Sequence, residues 1–389
     1  MLPERFANWL PVKVRFGAGV AGTLPEVLGE LDATSVFVMV DEGIENFNPA
    51  AKRVLDVLGA TPGLSLHRFD KAAGEPTIDM VDEATAAFVA SGASVLVALG
   101  GGSVMDTAKA ARLCAQLGCS FKEFLATSPG FPVPEAALIC MPTSAGTGSE
   151  VSGGSVVSDP EAGRKAGIAN ANLRAQYALV DPELTYSMPP SMTAHTGIDA
   201  LAQAIAGILA RVSTPIGDGI GYEAIRMMAP ALVSAYRDGT DIEARAAMSC
   251  GSMMAGLTMN ISDCTAEHSL GQAIGGIRHV PHGLTIGLVL VEVLEREASI
   301  VPEKLERIAD AMGVAPDGTN DGSRAIGAVR QLLADLDFPV LSSLELTTDD
   351  VPGLVDAAMS DYFITMAPTD WSRDEVVEAF SKALALSER

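Results

Sequence analysis

Leu96-Val97-Ala98-Leu99-Gly100-Gly101-Gly102-Ser103-Val104-Met105-Asp106-Thr107-Ala108-Lys109 is the stretch that decides the fold. Ser94–Leu99 has the length and unbroken apolar character of a strand buried on both faces, and three glycines stop it. A helix is expected next, over Ser103–Gln116, with Ser103 and Asp106 at capping-box spacing, although Asp stands where Glu or Gln is usual. Strand, glycine turn and helix in this order build a parallel sheet. Glycines without Cβ let a phosphate approach the backbone, and the helix start offers free N–H groups at its positive dipole end. The spacing is not the GxGxxG dinucleotide fingerprint, so the loop alone also reads as an ordinary strand-to-helix turn.

Working outward, Ser35–Val40 is a second β-branched strand, ending at Asp41, and Ala137–Met141 a third, ending at Pro142. Amphipathic stretches such as Ile78–Ala90 lie between them, so helices cover the sheet. Beyond Pro189 the texture becomes helical, over Gly197–Leu209, Ile216–Ala235, Glu243–Met259, Ala266–Gly275, Pro302–Ala311, Gly322–Leu336 and Arg373–Ala383. Pro182, Pro189 and Pro190 mark the boundary. The expected architecture is an α/β domain with a parallel sheet over residues 1–185 and an all-α domain over 186–389.

With 389 residues, 48% of them hydrophobic, the chain can bury a core in each domain. The 49 acidic against 26 basic residues give a formal charge of −23, which argues against nucleic acid and anionic membrane as partners. Cys114, Cys119, Cys140, Cys250 and Cys264 form no CxxC pair, the N-terminal segment lacks the order of a signal peptide, and apolar stretches such as Leu284–Leu294 fall short of the ~20 residues of a membrane span. A cytoplasmic protein with reduced thiols is expected.

Asp41, directly after a strand, could accept hydrogen bonds from ribose hydroxyls and would repel the extra phosphate of NADP; it also reads as part of a common Asp-Glu-Gly turn. Met141–Glu150 (MPTSAGTGSE) is a second loop of small residues after a strand and suits either a cofactor cleft or a plain connector. Of five histidines, three (His268, His279, His282) fall within fifteen residues; neutral imidazoles with an aspartate would suit Fe(II) or Zn(II). The candidate aspartate is Asp199, expected in the first turn of its helix, where compensation of the helix dipole is the plainer role. A metal there would polarise a substrate oxygen, with a nicotinamide facing it across the cleft between the domains.

Taken together, GGGSVMDTAK (100–109), PTSAGTGSEV (142–151), ALVDPELTYSMPP (178–190), TGIDAL (196–201) and HVPHG (279–283) resemble, in content and order, the iron-containing (group III) alcohol dehydrogenases. The resemblance implies an α/β NAD-binding domain, an all-α C-terminal domain, and NAD(H)-dependent interconversion of a small alcohol with its aldehyde or ketone. It further implies a homodimer or larger assembly. Carried over by position, Gly101, Gly102, Ser103 and Asp106 would belong to the pyrophosphate loop, Asp41 would meet the ribose, Thr143, Ser144, Thr147 and Ser149 would line the cofactor site, and Lys165 would contact the nicotinamide half. Asp199, His268 and His282 would ligate the metal and carry the catalysis. Two positions depart from the pattern: Gln203 and Gln272 stand where the family has histidines. Gln203 could ligate through its amide oxygen, the other three could suffice as in glycerol dehydrogenases, or the site could work without metal as the resemblance to maleylacetate reductases allows. In that last reading Arg278 would pair an acidic substrate. A lyase like dehydroquinate synthase, using NAD transiently, is a further alternative.

Overall fold

The computed structural model describes residues 6–160, 164–278 and 280–386; His279 lies outside them. Trp9–Met188 form one compact unit, and the chain from Pro189 onward, together with the described residues before Trp9, forms a second. Among the described residues, no helix is long and apolar enough to cross a membrane.

The first unit is built on a six-stranded parallel sheet of β1 (Lys13–Phe16), β2 (Ser35–Asp41), β3 (Ser65–Lys71), β4 (Val95–Gly100), β5 (Ala137–Pro142) and β8 (Tyr177–Val180), in the order β1-β8-β5-β4-β2-β3. A separate antiparallel hairpin is formed by β6 (Gly154–Asp159) and β7 (Arg164–Ala169). The helices of this unit are α1 (Leu24–Glu30), α2 (Pro49–Ala60), α3 (Ile78–Ser91), α4 (Gly102–Leu117) and α5 (Phe121–Thr127). Alternate residues of the central strands enter opposite cores. Val36, Val38, Val40, Val97 and Leu99 pack on one face with α1 and α2, while Phe37, Met39, Leu96 and Ala98 pack on the other with α3 and α4. Both faces are therefore dry, and β4 is buried at every position.

From β2 the chain moves to β3 on one side, then returns so that β4 pairs with the other side of β2. Strand order reverses between β2 and β4, and in an open parallel sheet the carboxyl ends at such a reversal form the ligand crevice. Asp41 ends β2 and Gly100 ends β4.

The second unit is helical: α6 (Pro190–Leu209), α7 (Pro215–Arg237), α8 (Ile242–Ser262), α9 (Ala266–Ile277), α10 (His282–Ala298), α11 (Pro302–Ala311), α12 (Ser323–Asp335), α13 (Val351–Ser360) and α14 (Arg373–Ala385). Pro190 is the first residue of α6, where its fixed φ and missing N–H cost nothing. The prolines read as a boundary thus also start a helix, one that begins two turns earlier than expected. Asp199 consequently sits in mid-helix rather than in a first turn, and dipole compensation is not its role. His282 is likewise the first residue of α10, a helix the sequence reading passed over.

Candidate active site

At the crevice of the first unit, the turn is shaped by contacts that leave no room for side chains at Gly100 and Gly102. A Cβ on Gly100 would lie 2.5 Å from Val104 Cγ2, and one on Gly102 would lie 2.7 Å from Thr147 Cγ2. Gly101 caps α4 and, being glycine, offers no side-chain hydrogen bond to the first N–H groups of that helix. The capping box expected of Ser103 and Asp106 is not formed. Ser103 Oγ instead donates to Gly74 O at 2.7 Å, and Asp106 accepts from Ser149 Oγ at 2.6 Å and Val156 N at 2.9 Å. An uncapped N-terminus behind a glycine turn is what a diphosphate needs. Asp41 faces this turn: burial raises its carboxyl pKa, opposed by Lys71 and by a hydrogen bond from the Gly101 N–H.

Among the remaining cofactor candidates, Thr147 packs against Gly102 and Ser144 Oγ lies 3.5 Å from the Cβ position of Gly101, while Thr143 is held by its N–H on Gly100 O at 3.0 Å. Ser149 and Asp106 turn inward. With Lys109, whose Nζ donates to Ser149 Oγ at 2.6 Å and Gly154 O at 2.8 Å, they tie α4 to β6. Beside them Glu150 is buried, and burial pushes its pKa up to about 7. Lys165, on β7, pairs with Glu75 at 2.6 Å.

In the second unit three side chains distant in sequence converge. Asp199 on α6, His268 on α9 and His282 at the start of α10 offer ligand atoms that all lie within 4.8 Å of one another. Asp199 Oδ1 is 3.7 Å from His268 Nε2 and 3.8 Å from His282 Nε2. Those separations exceed hydrogen-bond length and approach the ~3.4 Å edge of a tetrahedron with bonds of about 2.1 Å. Gln203 follows Asp199 by four residues, which places both on one face of α6. Its amide oxygen is buried and has no hydrogen-bond partner among the described residues. A carboxylate, two imidazole nitrogens and an unsatisfied amide oxygen fit a divalent metal of borderline softness.

Two features that hold this arrangement were not read from the sequence. Glu267 Oε1 lies 2.8 Å from His268 Nδ1, so the imidazole donates from Nδ1 and presents Nε2 to Asp199 and His282. Glu267 is itself buried; burial would raise its pKa, but His268 and Thr265 more than offset this and hold it below the ordinary range. Gly283 is the second: a Cβ there would collide with the His195 carbonyl oxygen and lie 3.0 Å from Asp199 Cβ. Its absence lets the first turn of α10 press against α6. The neighbouring glutamate in AEHSL was the one available sequence signal for the former.

His195 is not part of the donor set; its ring stands edge-on to Phe338, centroids 5.5 Å apart, and burial lowers its pKa. Arg278, the candidate for an acidic substrate, spends its guanidinium on Leu344 O and Glu345 O, both at 2.9 Å.

Comparison with known proteins adds to this geometry. The family description "Iron-containing alcohol dehydrogenase" matches residues 11–182, and "Fe-containing alcohol dehydrogenase family, C-terminal" matches residues 193–384. A choline dehydrogenase of Bacillus subtilis is 33% identical over 357 residues, spanning 90% of this chain and 88% of that protein. A solved 1,3-propanediol oxidoreductase superposes with TM-score 0.91 at 26% identity, over 97% of this chain and all of that one. A sulfoacetaldehyde reductase from Bifidobacterium kashiwanohense, solved in complex with NAD+, superposes with TM-score 0.89 at 27% identity, over 99% of this chain and all of that one.

Proposed function

The chain belongs to the iron-containing alcohol dehydrogenase family, and on that premise we propose that it interconverts a small alcohol and its aldehyde or ketone with NAD(H), using Fe(II) or Zn(II) held by Asp199, His268, His282 and the amide oxygen of Gln203. The observation that carries the proposal is the convergence of three ligand atoms from three separate helices within 4.8 Å.

Bound there, the metal would polarise the substrate oxygen and favour alkoxide while NAD takes up hydride. The chain's own groups prepare that chemistry. Glu267 fixes the tautomer and orientation of His268. Gly283 lets His282 reach Asp199. Side-chain exposure is 3% for Asp199, 4% for His268 and 30% for His282, so substrate enters from the His282 side. In the other unit, Gly100–Gly102 and the start of α4 receive the diphosphate, and Asp41 accepts the ribose hydroxyls and disfavours a second phosphate there. A homodimer is part of the proposal, supported by β1, an edge strand with Val14 and Phe16 exposed.

NADH formation with short alcohols, diols and hydroxy acids, paired with elemental analysis, tests this reading. Asp199→Ala and His268→Ala should each abolish both bound metal and turnover. Full activity in metal-stripped wild-type protein would reject it.

A further inference from the structure

Asp263 ends α8 with φ 66° and ψ −178°, a backbone region occupied almost only by glycine. A residue with a side chain persists under such strain where its surroundings or its function hold it, and ligand clamps are where this collects. The carboxylate accepts a hydrogen bond from the Tyr362 hydroxyl at 3.0 Å. From this carboxylate a row of rings leads to the donor set. Tyr362 and Phe363 have centroids 5.7 Å apart, Phe363 and His268 5.7 Å, and His268 and His282 5.5 Å. Tyr362 is 56% exposed, so its ring is open to a ligand.

A carboxylate bonded to one aromatic side chain, with a second ring tilted against the first, attracts an alkylated ammonium ion through charge and through the ring quadrupoles, which act within about 6 Å. It repels a carboxylate or sulfonate. The basic residue that could have received an anion, Arg278, is committed to two backbone carbonyls. We propose that Asp263, Tyr362 and Phe363 form the subsite for the non-reacting end of the substrate and that this end is a quaternary or alkylated ammonium group. The proposal rests on the reading of Asp199, His268 and His282 as the site that receives the substrate oxygen. Phe363 stands one ring spacing from His268, which suits a short linker between nitrogen and hydroxyl.

The test compares three alcohols of similar size in the metal-loaded enzyme: hydroxyethyl-trimethylammonium, its neutral isostere dimethylbutanol with carbon in place of nitrogen, and hydroxyethylsulfonate. The wild type should prefer the cation over the isostere by about 10- to 30-fold in kcat/KM, the size of a desolvated cation–aromatic contact. Asp263→Asn should reduce that ratio below about 3-fold. Asp263→Gly removes both the charge and the strained side chain, so it should lose the preference while its Tm rises, which separates recognition from folding. Tetramethylammonium binding, measured by calorimetry, should weaken about 10-fold in both variants. An unchanged ratio in both variants, or equal turnover of the sulfonate by the wild type, would overturn the proposal. Asp263-dependent binding of tetramethylammonium without NADH from any alcohol would support the subsite and overturn the oxidoreductase reading alone.

Discussion

Gly283→Ala should dismantle the donor set without touching a donor. The added methyl would fall deep inside the contact shell of the His195 carbonyl oxygen and 3.0 Å from Asp199 Cβ. A backbone carbonyl in mid-helix cannot swing aside as a flexible side chain does, so the start of α10 must back away from α6 by about 1 Å to restore an ordinary contact. His282 precedes Gly283 and moves with it. Its Nε2, now 3.8 Å from Asp199 Oδ1, would then lie beyond the span that one ion can bridge, since metal–ligand bonds tolerate deviations of only about 0.2 Å. Overpacking of this kind costs about 1–3 kcal/mol, which in a helical unit of this size lowers Tm by roughly 3–10 °C. The expected result is a folded protein with Tm lowered by that amount and metal content, by plasma mass spectrometry after dialysis, reduced at least tenfold. Stoichiometric metal at unchanged Tm would refute the reasoning, because it would mean that α10 is not held against α6 through this glycine.

Replacing the neutral amide by imidazole in Gln203→His should raise metal affinity about tenfold in chelator competition, and no change would take Gln203 out of the donor set. Glu267→Gln keeps the shape but lets His268 choose its tautomer, so metal affinity by titration calorimetry should fall about 10- to 100-fold while the circular dichroism spectrum is preserved. Glu150 has its carboxyl raised from 4.5 to about 7 by burial, so the folded state binds the proton more tightly than the unfolded chain; its contribution is complete below pH 4.5 and is lost as pH rises to about 7, a swing of about 3 kcal/mol. Glu150→Gln should therefore gain stability over the wild type on going from pH 5 to pH 8 in denaturant titrations, and a difference independent of pH would show that the buried carboxyl is not raised.

What could be read in advance follows burial. β2, β4 and β5 match their expected spans to within a residue because both faces are dry, which leaves unbroken apolar runs bounded by Asp41, Gly100 and Pro142. β3 (SLHRFDK), an edge strand with exposed and half-buried positions, and the half-exposed hairpin β6–β7 carry no such signal. α10 escaped for the opposite reason: it is buried at every position from Gly283 to Leu294, so its sequence reads as an apolar block without helical period. That Asp199, His268 and His282 would come together was legible through motif order and histidine scarcity. Asp263 and Tyr362 were not, because a strained φ and a contact across 99 positions of sequence leave no local pattern.

Gln203 and Glu267 belong to one electrostatic account. Asp199 is the only anion among the four proposed donors; two imidazoles and the amide of Gln203 are neutral, and an amide oxygen is the weakest of them. A buried divalent ion in that set keeps an uncompensated positive charge in a low-dielectric interior, which is costly. Glu267 supplies a second negative charge, held ionised by Thr265 and His268 and passed on through the Nδ1–H of His268 as greater basicity at Nε2. A carboxylate behind one imidazole thus offsets the imidazole missing at position 203. Because both act on the same ion, their contributions to its affinity are coupled rather than additive, and Glu267 should matter less once residue 203 is a histidine.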